Sequence, residues 1–111
     1  MAKPATSSAS TPGPATPKQG DIYLADLAPS GRQPVLVVSP DEMNRVLKTV
    51  IVAPLTSTRR DWPTRCVVSV RARPRSVALD QIRCLSVERL ARKMGQADAA
   101  PARRILQAMF G

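Results

Sequence analysis

Two uninterrupted apolar runs, Pro34-Val35-Leu36-Val37-Val38-Ser39 and Thr49-Val50-Ile51-Val52-Ala53-Pro54-Leu55, constrain the fold of this chain more than any other feature. Both are short and rich in β-branched residues, so they read as strands buried on both faces or set at the centre of a barrel. Pro34 fits only the first position of its strand, because it has no N–H to give to a ladder. Ahead of them, Asp21-Ile22-Tyr23-Leu24-Ala25-Asp26-Leu27 follows Gly20, alternates polar with apolar, and is closed by the turn residues Ala28-Pro29-Ser30-Gly31. Pro40 to Arg45 reads as a polar connection. Further strands are expected at Thr64–Val70, Ser76–Asp80 and Gln81–Leu85, with Lys93-Met94-Gly95 a short last one. Helical spacing appears only near the end: Asp98 serves as N-cap, Pro101 lies in the first turn, and Ile105, Leu106 and Met109 form one stripe to pack against the strands. The expected fold class is mainly β with a C-terminal α-helix, a small closed or half-closed barrel rather than a βαβ sheet.

At 111 residues there is room for one domain and one core. Residues 1–17, almost all Ala, Ser, Thr, Pro and Gly, are expected to form a disordered leader, and residues 18–111 the folded domain. No run of about 18 apolar residues could span a bilayer, and the N-terminus lacks the apolar core of a signal peptide. A cytoplasmic protein with no membrane partner is the expectation. Cys66 and Cys84 lack metal-ligand spacing and read as buried small hydrophobes.

Charge narrows the function. Seventeen Lys and Arg stand against eight Asp and Glu, a formal +9, with Arg supplying most of the excess. Such a balance suits a polyanion, because a planar guanidinium gives two hydrogen bonds to one phosphate. Histidine is absent, which removes the commonest general base, the Ser-His and Cys-His nucleophile systems and any His-bound zinc. The carboxylates are scattered, whereas a two-metal nuclease needs several converging on its ions. No metal and no cofactor are expected. Thr56-Ser57-Thr58-Arg59-Arg60-Asp61-Trp62 gathers hydroxyls, guanidiniums and the only Trp, a set able to grip phosphates and stack an unpaired base. Arg71, Arg73 and Arg75 would share one face of a strand as a basic stripe.

Four segments in this order, Gly20-Asp21-Ile22-Tyr23, Pro34 to Ser39, Val52-Ala53-Pro54-Leu55-Thr56 and Leu79-Asp80-Gln81-Ile82-Arg83, resemble the MazF/PemK toxins over about residues 18 to 110. The resemblance implies an SH3-like small β-barrel of the MazF/PemK/CcdB type, a homodimer, and metal-independent cleavage of single-stranded RNA, with mRNA as substrate. It also implies a MazE-like antitoxin whose acidic tail occupies the RNA groove. In the family an Arg directly precedes the Pro of the second strand and a Thr ends the third, and both are regarded as catalytic. Thr56 matches the latter. Here Gln33 precedes Pro34 and the Arg stands one place earlier, so Arg32 is the candidate, a long side chain in an unconstrained turn being able to reach the same point. The candidates for RNA contact are Gln33, Asn44, Ser57, Thr58, Arg59, Arg60, Trp62, Arg73 and Gln81, while Asp80 and Arg83 are expected to pair across a turn.

The implied reaction uses the RNA's own 2′-OH as nucleophile and leaves 2′,3′-cyclic phosphate and 5′-OH ends, so the enzyme has chiefly to align it and stabilise charge. Two other readings need no catalytic Arg or Thr: a CcdB-like toxin that binds a protein target such as DNA gyrase, and a non-catalytic SH3-like module that binds RNA or DNA.

Overall fold

The computed structural model describes residues 16–58 and 60–110. In chain order the elements are β1 (Asp21–Asp26), β2 (Arg32–Val37), α1 (Asp41–Leu47), β3 (Thr49–Thr56), β4 (Arg65–Val70), β5 (Arg73–Ala78), β6 (Arg83–Ser86), β7 (Leu90–Gln96) and α2 (Ala100–Phe110). Single 3₁₀ turns at Leu79–Gln81 and Val87–Arg89 precede β6 and β7. The apolar run at 49–55 is the hub of the fold. As β3 it pairs with β2 on one side, and on the other with β6 up to Val52↔Arg83 and then with β5 from Leu55↔Val77. Pro54 falls between those two partners, a position where a residue without an N–H fits because the ladder is changing hands. The strand path is β4-β5-β3-β2-β1-β7, with β6 also on β3 and every pair antiparallel. The sheet curls into a half-barrel.

Period-two alternation sends successive residues to two different cores. Tyr23, Ala25, Leu27, Val35, Val37, Val50, Val52, Leu85 and Leu90 fill the inside of the curl. Ile22, Leu36, Ala53 and Leu55 face the other way, where Val77, Leu79 and Ala102 join them and the β4–β5 hairpin and α2 form the cover. Gly20 closes the half-barrel at one end. Its N–H donates to the Val37 carbonyl at 2.8 Å, and its carbonyl accepts from Ala97 N–H at 2.8 Å. A Cβ there would stand 2.6 Å from the Ala97 oxygen, and φ is +95°, so only glycine fits.

Several boundaries differ from the sequence expectation. β5 begins at Arg73 rather than Ser76, and Leu79–Gln81 turns rather than extends. The last strand runs for seven residues, Leu90 to Gln96, through Ala, Arg and Lys positions that carry no β signal of their own. Pro40–Arg45, read as a connection, starts a short helix, α1. In α2, Ala102, Ile105 and Leu106 pack inward while Met109 stays exposed. Asp98 caps α2 one residue early, its Oδ1 accepting from Ala100 N–H at 3.0 Å. Cys84 is exposed on β6 instead of buried, and only Cys66 is half-buried, where burial pushes its thiol up. Most of the expected leader lies outside the described residues, but Pro17 is fully buried, so packing has begun by that residue. No helix among the described residues is long and apolar enough to cross a membrane.

Candidate functional site

The hollow that matters lies where β3 ends. Strands β2 and β3 carry Gln33, Pro54 and Thr56 on the same pleat direction as Val35, Val37 and Val52, so the surface continuing from the inner core opens to solvent there. The loop from Ser57 to Thr64 and the 3₁₀ turn complete it. Gln33, Thr56, Thr58, Arg60, Trp62, Arg65 and Gln81, over Pro54 and Ala78, line a hollow of about 320 Å³. A second of about 370 Å³ lies beside it, bordered by Asp61, Val67 and Ser76, and shares Arg60, Trp62 and Arg65 with the first.

Local hydrogen bonds fix the parts. Thr58 N–H donates to Thr56 Oγ1 at 3.1 Å, closing a small side-chain turn at the strand end. That bond uses an acceptor lone pair only, so the Thr56 O–H remains able to donate. Trp62 to Arg65 is a turn closed by Arg65 N–H on the Trp62 carbonyl at 3.0 Å, with Pro63 at the second position, where a fixed φ is favoured. Trp62 is 49% exposed, and two guanidiniums lie over its ring, Arg65 at 4.7 Å and Arg60 at 5.4 Å from the centroid.

Arg65 is the residue that sequence reasoning missed. Its Nε donates to Asp80 Oδ1 at 2.7 Å and its Nη2 to Oδ2 at 3.2 Å, with Thr64 Oγ1 adding a 3.1 Å bond. These bonds, the Arg65 guanidinium foremost, hold the Asp80 carboxyl below its usual range. The expected Asp80–Arg83 pair is therefore replaced by Asp80–Arg65, a partner fifteen positions away that no local pattern signals.

Four expected site residues are not brought to the hollow. Arg32 sits within the β1–β2 ladder opposite Asp26, in a turn pinned by Leu27 N–H on the Gly31 carbonyl at 2.9 Å. It is not in an unconstrained loop, so the pleat points it away from Gln33, toward the face of Leu36. Asn44 is 2% exposed on the buried face of α1; its amide donates to the Pro17 and Ser39 carbonyls and its oxygen accepts from the Ser39 hydroxyl. Those bonds use up the groups an RNA contact would need. Arg73 pairs with Val70 at the hairpin tip, on the α2 side of the sheet, and Ser57 stands exposed beside the hollow without lining it. Arg71 is in the hairpin turn at φ +52°, so the basic stripe shortens to Arg73 and Arg75. Arg59 lies outside the described residues. Among the described residues no group of three or more His, Cys, Asp or Glu could hold a metal ion.

Over residues 18–109 the chain matches the family model described as PemK-like, MazF-like toxin of type II toxin-antitoxin system. It belongs to that toxin family. The endoribonuclease EndoA of Bacillus subtilis is 34% identical over 93 residues, covering 73% of this chain and 80% of that protein. A mycobacterial endoribonuclease solved in complex with its cognate antitoxin superposes with a TM-score of 0.71 at 31% identity, covering 84% of this chain and 90% of that one. A MazE–MazF complex from Deinococcus radiodurans gives a TM-score of 0.75 at 26% identity over 88% and 98% of the two chains. The toxin's half-barrel and terminal helix are thus the family's fold.

Proposed function

We propose that the hollow at the end of β3 cuts single-stranded RNA without a metal, as the active site of a type II endoribonuclease toxin. The chain is a toxin of that family, and the observation that carries the finer reading is the meeting of Thr56, two guanidiniums and the sole Trp around one hollow. In the reaction the 2′-oxygen loses its proton as it bonds to phosphorus, and the P–O5′ bond breaks as the 5′-oxygen gains one. Nothing else is consumed. The Thr56 hydroxyl donates to a non-bridging oxygen, Trp62 stacks a flanking base, and the amides of Gln33 and Gln81 present donors and acceptors to base edges. The 2′-OH proton passes to solvent water and the 5′-oxygen takes one from it, so the site has chiefly to align the groups and stabilise charge, and the absence of histidine is no obstacle.

The same reading gives the protein a cytoplasmic setting, mRNA as substrate, a second copy as homodimer partner, and a MazE-like antitoxin whose acidic segment is attracted to the cationic hollow. The test is cleavage of a long single-stranded RNA in excess EDTA by the wild type and by Thr56→Ala. Discrete fragments ending in 2′,3′-cyclic phosphate are expected, and Thr56→Ala should be slower by about 10²- to 10³-fold, roughly 3–4 kcal/mol of barrier. Total RNA left intact at every wild-type concentration would leave a protein-binding toxin or a passive nucleic-acid module instead.

A further inference from the structure

We infer that Arg60, and not Arg32, is the catalytic guanidinium of this chain, donating to the non-bridging oxygens of the scissile phosphate while Trp62 holds it in place. The inference rests on the ribonuclease reading and concerns which cation serves it. A phosphorane gathers negative charge, so the hollow must offer a guanidinium whose charge is not already neutralised. Among the described residues three arginines compete for the role. Arg32 is turned to the opposite face of the sheet by a laddered position. Arg65 has both Nε and Nη2 on the two oxygens of Asp80, and its side chain is 7% exposed, so its charge is cancelled and its surface hidden. Arg60 is exposed, has no ion-pair partner among the described residues, and borders both hollows.

Stacking favours rather than hinders the role. A guanidinium lying over an indole spends only its face, and all its N–H groups point outward in its plane, where a phosphate can take two of them. The Trp62 ring is in turn steadied by Arg65, which Asp80 locks, so the pair acts as a seat for Arg60. Across the hollow stands Gln33, a neutral amide at the one β2 position whose side chain enters. An arginine placed there would reach the same space.

The experiment is steady-state cleavage by wild type, Arg60→Ala, Arg60→Lys, Arg32→Ala, Arg65→Ala and the double variant Arg60→Ala/Gln33→Arg, with affinity for an RNA made uncleavable by 2′-deoxy substitution measured alongside. Arg60→Ala should lose about 10²- to 10³-fold in kcat with KM and affinity changed only a few-fold. Arg60→Lys should recover part of that, being a point charge without the fork, and Gln33→Arg should restore at least about tenfold in the alanine background. An Arg60→Ala protein with unchanged kcat and weaker binding would make Arg60 a plain phosphate contact and overturn the inference. So would a kcat loss of that size in Arg32→Ala or Arg65→Ala with Arg60→Ala spared. A wild type unable to cut RNA would remove the ribonuclease reading itself, and Arg60's role with it, whereas an active wild type indifferent to Arg60 removes only the inference.

Discussion

Asp80 shows how one carboxylate organises a site it does not enter. By holding Arg65 with two hydrogen bonds it fixes the guanidinium over Trp62, and the guanidinium keeps the carboxylate charged. The folded pKa of Asp80 lies below its ordinary value, so its stabilisation is full above about pH 4 and is lost as the pH falls through the folded value. Asp80→Asn should therefore lower stability near neutrality by up to about 1 kcal/mol, a modest figure because the carboxylate side chain is 28% exposed. The gap between urea melts of the two proteins should close as the pH falls through the folded value, and a gap that stays constant with pH would show that the pair is not the cause. None of this was legible in the sequence. Arg65 reads there as one of a string of arginines, and only the return of the chain at Leu79–Gln81 sets Asp80 against it. Thr56, Thr58, Arg60 and Trp62 were legible, because they fall within seven residues at the end of one strand and the loop after it, and need no tertiary information to be neighbours.

At the level of elements, the pleat and the short helix decide most of what sequence reasoning could not. Alternation within β2 separates Arg32 from Gln33 by the thickness of the sheet, which a one-residue shift in an alignment conceals. The two apolar runs were found because burial on both faces writes itself into residue type; β7 was underestimated because its Ala, Arg and Lys positions are held by pairing with β1. Helix α1 was missed since Val46 and Leu47 point to solvent and its one buried residue is polar. That residue, Asn44, bridges Ser39 and the Pro17 carbonyl, joining the residues after β2 to the segment before β1. Asn44→Ala leaves the buried Ser39 hydroxyl and the Ser39 and Pro17 carbonyls without their partner, and should cost about 2–3 kcal/mol. The check is a lower urea midpoint with an unchanged m-value; a loss below about 0.5 kcal/mol would mean the network is not sealed from solvent.

Taken whole, the molecule is a basic half-barrel whose cationic residues reach well beyond one hollow, at the β4–β5 tip and along β6 and β7. RNA binding should then weaken steadily with salt, by about 0.7 in the logarithmic slope for each phosphate contact made to a single strand. Titrating an uncleavable RNA between roughly 50 and 200 mM salt measures it, and a flat response would speak for a protein target instead. Within this architecture Thr56 ends the strand that three others clamp, while Arg60 and Trp62 come from a loop that no ladder includes. The proposed site is thereby held in two ways, by backbone pairing at Thr56 and by side-chain packing at Arg60 and Trp62. Substitutions at Ser57 and Thr58 can therefore reshape the rim of the hollow without touching a strand pairing, whereas Arg60, Trp62 and Thr64 are tied to the parts that must stay.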